Sequence, residues 1–177
     1  MDNQEKENPV VVTDRLIKLP ITDHGSYSFS GEEIARVTTY SEEKPRWTEL
    51  VMYRRDNGGY IYQRLGRSDV YHLPTCREIF GRTDMPLAKE PGDYGWPCEK
   101  CNPPEEGSDP VFTENDKSYV RIARTPEDVL RTLRERDRRT KEVRLSPLAQ
   151  QLLRAVADVD EAVKSATQQQ MMESGTV

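Results

Sequence analysis

The clearest pattern of apolar and polar positions lies in "RWTELVMYRRDNGGYIYQRLG" (46–66). Trp47, Glu49, Val51 and Tyr53 fall on one face of an extended chain, and Thr48, Leu50 and Met52 on the other. Asp56-Asn57-Gly58-Gly59 supplies residues that tolerate positive φ, and Tyr60-Ile61-Tyr62 resumes the alternation, so the segment predicts a β-hairpin. Upstream, "PVVVTDRLIKLPI" predicts a first strand, and the β-branched content of Ile34 to Tyr40 a second. Gly66 closes the hairpin, and "SDVYH" predicts a further short strand leading to His72.

Beyond residue 120 the period changes. Thr125-Pro126-Glu127-Asp128 carries an N-cap, a first-position proline and first-turn acids, and Val129, Leu130 and Leu133 give that helix a narrow apolar stripe. Ser146-Pro147 opens a second predicted helix, 146–165, in which Leu148, Leu152, Val156, Val159 and Val163 recur at steps of four and three. The two helices predict a hairpin. The Leu148–Val163 stripe has two packing options, the preceding helix or a second copy of the chain as a homo-oligomer.

The expected fold class is therefore α+β: a small antiparallel β-meander and hairpin with a structural zinc site, followed by a C-terminal helical hairpin. The expected layout is a disordered stretch at 1–8, a β-rich zinc-binding domain at 9–104, an acidic linker at 105–119, a helical region at 120–168 and a flexible tail at 169–177. Composition agrees with a small core bearing extensions. Apolar residues make up 34% of the 177 and charged residues 32%, and mean hydropathy is −0.85.

The net charge of −5 argues against a protein that coats nucleic acid indiscriminately, but the charge is uneven. Residues 105–119 sum to −4 and residues 120–145 to +4. The start MDNQEKENP has neither a basic n-region nor an apolar h-region, and no run approaches the ~18 apolar residues that cross a bilayer. Three cysteines, two of them in C-x2-C, do not resemble a secreted disulfide framework. The expected location is the cytoplasm, with no membrane association.

Chemistry concentrates in two fragments. "VYHLPTCREI" carries His72 and Cys76, and "GWPCEKCNP" carries Cys98 and Cys101. All three cysteines and one of the two histidines thus form H-x3-C-x21-C-x2-C. Zn2+ prefers tetrahedral N/S coordination, and Cys3His is an established structural set. Each pair is preorganised locally, and the ion closes the longer loop between them. A redox dithiol normally opens a helix after a βαβ pattern, which is missing here, and simple packing does not explain the convergence. One structural Zn2+ on His72, Cys76, Cys98 and Cys101 is the expectation. With four protein ligands no position stays open for a substrate or water, and no phosphate loop, nucleophile elbow or H-E-x-x-H pattern occurs, so the chain is expected not to be an enzyme.

"GRSDVYHLPTC" followed by "GWPCEKCNP" resembles the small Ada-type metal-binding module. It is more similar still to the histidine-containing variant at the ends of some bacterial secreted or nuclease-associated proteins. The likeness covers residues 66–103 and implies a β-hairpin and helix folded around one zinc. In the DNA-repair members the first ligand is a cysteine that accepts a methyl group, and here that position is His72, so the resemblance implies no repair activity. "RWTELVMYRRDNGGYIYQRLGRS" resembles uncharacterised proteins of actinobacteria and their phages, which implies a source and no function.

Two binding roles follow. The first is a non-enzymatic interaction module, an adaptor or regulator with a protein partner. The alternative is a nucleic-acid-binding accessory protein. Its candidate contacts are Arg54, Arg55, Tyr62, Arg64 and Arg67 on the hairpin, where Tyr60 or Tyr62 could stack bases, and Arg134 and Arg138 on the basic helix.

Overall fold

The computed structural model describes residues 16–79, 95–103, 112–114, 116–136 and 140–174. In chain order these form β1 (Leu16–Ile21), β2 (Gly25–Thr38), β3 (Arg46–Arg55), β4 (Tyr60–Ser68), β5 (Val70–His72), β6 (Trp96–Pro97), β7 (Phe112–Thr113) and β8 (Lys117–Ala123). They continue as α1 (Pro126–Leu133), β9 (Glu135–Arg136), β10 (Val143–Arg144), α2 (Pro147–Val159) and α3 (Glu161–Ser174). The fold is α+β, with a curled antiparallel sheet and three helices. Residues 1–8 and most of the expected acidic linker lie outside the described residues.

The main sheet runs β1-β2-β3-β4-β8. At the β3–β4 turn, Gly58 and Gly59 take φ of +89° and +81°, values that favour glycine. β2 is long because it serves two partners. Residues 25–30 pair with β1, and from Gly31 onward the strand pairs with β3. Gly31 is the pivot: a Cβ there would meet the Arg54 carbonyl oxygen at 2.2 Å. A bulge between Glu33 and Ala35 then sets the remaining register. The bend brings the sheet's edges together, where Thr22 N–H donates to Ser118 O (3.0 Å) and Ser118 N–H to Thr22 Oγ1 (2.7 Å).

Curling buries both faces. Inside lie Leu19, Phe29, Val51, Tyr53, Ile61 and Leu65. Gln63 is the polar member there, accepting from Tyr53 Oη (3.2 Å) and donating to Ser118 Oγ (2.9 Å). Outside, Leu50, Met52, Tyr60, Tyr62 and Ala123 pack under the helices.

The structure departs from the sequence reading in three places. Lys117–Ala123 is a strand paired with β4, where the end of a linker and the start of a helical region were expected. The expected helix 146–165 is two helices, and α3 runs through the first residues of the stretch read as a tail. The expected helical hairpin is instead a layer on the sheet: α2 packs on β2 and β3, α1 on β8 and β4, and α3 against both helices. Leu152, Leu153, Val156 and Val163 are accordingly buried within the chain, while Val159 is exposed.

Asp160 causes the break. Its Oδ1 accepts from Val163 N (3.1 Å), capping α3, and its Oδ2 accepts from Tyr60 Oη (3.0 Å) and lies 3.5 Å from Arg54 Nη1. The carboxylate is 5% exposed, so its partners replace water. Burial, reinforced by Asp160, pushes the Tyr60 hydroxyl up to about 12, which keeps it a donor.

Two substitutions probe these joints. Asp160→Ala removes a cap and leaves the buried Tyr60 hydroxyl unpartnered, and is expected to cost about 2–4 kcal/mol in urea unfolding. Gly31→Ala is expected to cost about 1–3 kcal/mol by overpacking against the β3 backbone. Wild-type midpoints for either would contradict these roles.

Candidate metal centre

A second sheet, ordered β6-β5-β7, positions the donors. β5 pairs in parallel with β6 through Val70↔Trp96 and Tyr71↔Pro97, and antiparallel with β7 through Tyr71↔Thr113 and His72↔Phe112. His72 is therefore the last residue of the central strand. The Pro97 pairing and the Cys98 N–H bond to Tyr71 O (3.0 Å) set Cys98 beside it. Gly95 makes the approach of β6 feasible, since a Cβ there would lie 2.4 Å from Asp69 Cβ.

Each pair of donors comes from a tight local structure. After His72 the chain turns, with Cys76 N–H bonded to Leu73 O (2.9 Å), so H-x3-C spans a strand-to-turn corner. Cys98 to Cys101 form a knuckle closed by Asn102 N–H to Cys98 O (2.8 Å), with Asn102 at φ 41°. The helix implied by the Ada-type resemblance between Cys76 and Gly95 falls on residues 80–94, outside those described.

The donor atoms of His72, Cys76, Cys98 and Cys101 all lie within 4.8 Å of one another, a grouping that can hold a metal ion. His72, Cys76 and Cys98 are buried, and Cys101 is half-buried. His72 Nδ1 is 3.3 Å from Cys76 Sγ, and Cys76 Sγ is 3.9 Å from Cys98 Sγ, far beyond a disulfide bond.

The thiols resist ionising together. Burial opposes the Cys98 thiolate, but bonds from the backbone N–H groups of Cys101 and Lys100 outweigh it, and its pKa falls below the ordinary thiol value. Burial and the neighbouring sulfurs push Cys101 up to about 11. A cation among the sulfurs would favour their thiolate forms, so metal uptake would release protons.

The second nitrogen of His72 is also engaged. With Nδ1 turned to the sulfurs, Nε2–H donates to Glu114 Oε1 (3.1 Å). Glu114 in turn accepts from Arg46 Nη2 (2.6 Å) and Nε (3.0 Å). Burial would raise the Glu114 carboxyl, but the bonds from Arg46, Ser68 and His72 prevail and hold it at about 2. It is thus an anion at neutral pH, and fixes the imidazole ring and tautomer as an outer-shell carboxylate does in metal sites.

The candidate nucleic-acid contacts are not gathered in this way. Tyr62 is only 2% exposed, and Tyr60 5%, because the helices cover that face; neither ring can stack a base. Arg54 pairs with Glu32 and Asp160, Arg64 with Glu135, and Arg67 with Asp116 and Glu49. Arg55 is half-buried, and Arg138 lies outside the described residues; Arg134 is exposed but is the extended C-cap of α1, which ends at Leu133 and leads into β9, so it does not stand on the expected basic helix. The sequence reading missed Glu114 and Arg46, since a lone acid in an acidic stretch and an arginine 68 positions away give no local signal.

Compared with protein-family models, curated proteins and solved structures, the chain matches none. The Ada-type likeness therefore rests on the motif and on the metal-competent cluster alone.

Glu114→Gln keeps the shape but loses the anion, and is expected to weaken metal binding by about 10–100-fold in chelator competition. An unchanged affinity would show that Glu114 does not orient His72.

Proposed function

We propose that the chain is a non-enzymatic interaction module whose fold is completed by one structural Zn2+ on His72, Cys76, Cys98 and Cys101. The observation that carries this is the set of three sulfurs and one nitrogen, three of its four residues buried and Cys101 half-buried. Tetrahedral zinc bonds of about 2.3 Å to sulfur and about 2.0–2.1 Å to nitrogen give edges of about 3.8 Å between sulfurs and about 3.6 Å from nitrogen to sulfur. The distances of 3.9 and 3.3 Å fall close to these edges. Soft thiolates with one imidazole also favour zinc over the oxygen-seeking cations.

Four protein donors leave no open position for water or substrate, which supports a structural ion rather than a catalytic one. Free thiolate ligands fit a reducing compartment such as the cytoplasm. Among the described residues no helix is long and apolar enough to cross a membrane. The partner on this reading is a protein, with the chain acting as adaptor or regulator.

Elemental analysis of tag-free, reduced protein is expected to find about one zinc per chain, and none after Cys98→Ser with Cys101→Ser. X-ray absorption should return three sulfurs and one nitrogen. Chelation is expected to release amide protection at 70–79 and 96–103 first in hydrogen exchange, while the β3–β4 core stays protected. Metal-free native protein would overturn the zinc reading, and turnover lost in His72→Ala without loss of fold would overturn the non-enzymatic one.

A further inference from the structure

The fold builds a basic groove that no single stretch of sequence contains. An open cavity of about 1070 Å³ lies between the β4–β8 surface, the β9–β10 hairpin and the start of α2. Among the described residues it is lined by Arg64, Arg121, Arg136 and Arg144 against one carboxylate, Glu135, for a formal lining charge of +3. A second opening of about 730 Å³ shares Arg64, Arg121 and Glu135 and adds Lys117, Tyr119 and one further acid, Asp23, so the two openings adjoin along Arg64 and Arg121 and are treated as one channel.

How these cations are held matters more than their number. Arg121 donates to the backbone carbonyls of Thr132 (3.2 Å) and Arg134 (3.5 Å), and Arg136 to that of Lys141 (3.1 Å). Among the described residues neither is in an ion pair. Carbonyl partners fix a guanidinium in place without cancelling its charge, so the channel is preorganised for anions. The acids that make the whole chain −5 do not cancel this field, because exposed charges beyond about 10 Å are screened at 0.1 M salt.

An aromatic ring stands among the cations. Tyr119 is 54% exposed and sits directly opposite Arg64 in the β4–β8 register, two pairs away from Tyr62↔Arg121 and so on the same face of the sheet. Anionic groups spaced along a chain, with flat rings between them, match such a lining. An acidic peptide would use the arginines but not the tyrosine face.

We propose that the channel formed by Arg64, Tyr119, Arg121, Arg136 and Arg144 binds single-stranded nucleic acid, its arginines contacting phosphates and Tyr119 stacking a base. The inference rests on the zinc-module reading and adds a nucleic-acid partner to the protein partner proposed there. It moves the nucleic-acid contacts from the hairpin's paired arginines and buried Tyr62 to the surface between β4, β8 and α2. Arg64 alone belongs to both sets.

The test is fluorescence anisotropy of zinc-assayed, full-length protein with labelled 15-nucleotide oligo-U RNA and oligo-dT DNA, and a 15-residue polyglutamate competitor. About three phosphates neutralised on a single strand predict a slope near −2 for log affinity against log salt. Arg136→Gln with Arg144→Gln is expected to bring the slope to about −0.7 and weaken binding at least tenfold. The charge-matched control, Arg131→Gln with Arg154→Gln, should change little, since neither residue lines the channel. Tyr119→Ala is expected to weaken binding about tenfold without altering the slope. Comparing the RNA and DNA arms identifies the strand chemistry. No binding at 25 mM salt by folded, zinc-loaded protein would overturn this inference while leaving the zinc module intact. Equal loss in the control pair, or equal competition by polyglutamate, would also overturn it. Protein lacking zinc would fail the module reading instead, whatever it bound.

Discussion

Glu114 accepts two hydrogen bonds from Arg46 and one from His72 Nε2, and through it the small sheet that carries the metal donors is tied to the first residue of β3. Among the described residues few other links join the two sheets. Asp69 N–H bonds Pro45 O (2.9 Å), and the chain passes from β4 to β5 with only Asp69 between them. Among the described residues the metal cluster has little apolar surface of its own, chiefly Val70, Ile79 and Phe112 beside the cysteines. A unit so small cannot offset the entropy of ordering its loops by burial alone. It needs either an ion within it or anchorage from outside, and Glu114 serves both needs at once.

The rest of the chain solves the same shortage differently. With 34% apolar residues there is material for thin layers rather than one deep core. Curling the sheet lets β3 and β4 bury alternate residues on opposite faces, Val51, Tyr53 and Ile61 inward and Leu50, Met52 and Tyr62 outward. Each fully buried side chain contributes roughly 1.5–3 kcal/mol, so two modest clusters on a shared pair of strands suffice. The polar groups trapped by this arrangement are matched in pairs: Gln63 with Tyr53 and Ser118 on the inside, Asp160 with Tyr60 and the α3 N-terminus on the outside.

What could be read in the sequence was what local pattern determines. The glycines of the β3–β4 turn, the caps Thr125 and Ser146, and the spacing of His72, Cys76, Cys98 and Cys101 all act within a few residues of themselves. The stripe through Leu152, Val156 and Val163 continues in phase across Asp160, so its period hides the helix break, which comes from bonds to Tyr60 and Val163. Lys117–Ala123 alternates, but its partner strand lies 63 residues earlier at Tyr60↔Ala123 and 51 earlier at Gly66↔Lys117, and neighbouring charge made it read as linker and helix. Alternation on the hairpin separated the two faces correctly without telling that both are covered, and so Tyr62 looked available for stacking.

The same strand that local pattern missed connects the two candidate surfaces. Glu114, fixed beside His72, precedes Lys117 by three residues, and β8 then carries Tyr119 and Arg121 along the edge of β4. Pairing with β4 sets the register that brings Tyr119 opposite Arg64. The closing bonds between Ser118 and Thr22 hold the start of that strand from the other side. A metal that orders His72 and Glu114 therefore acts on the entry to β8, whereas the apolar clusters hold its exit at Ala123. The candidate metal cluster contributes none of the residues that line the proposed channel, yet a metal held there would limit the freedom of the strand on which Arg121 and Tyr119 stand. A structural ion at that place would narrow the positions a binding surface can take without touching what is bound.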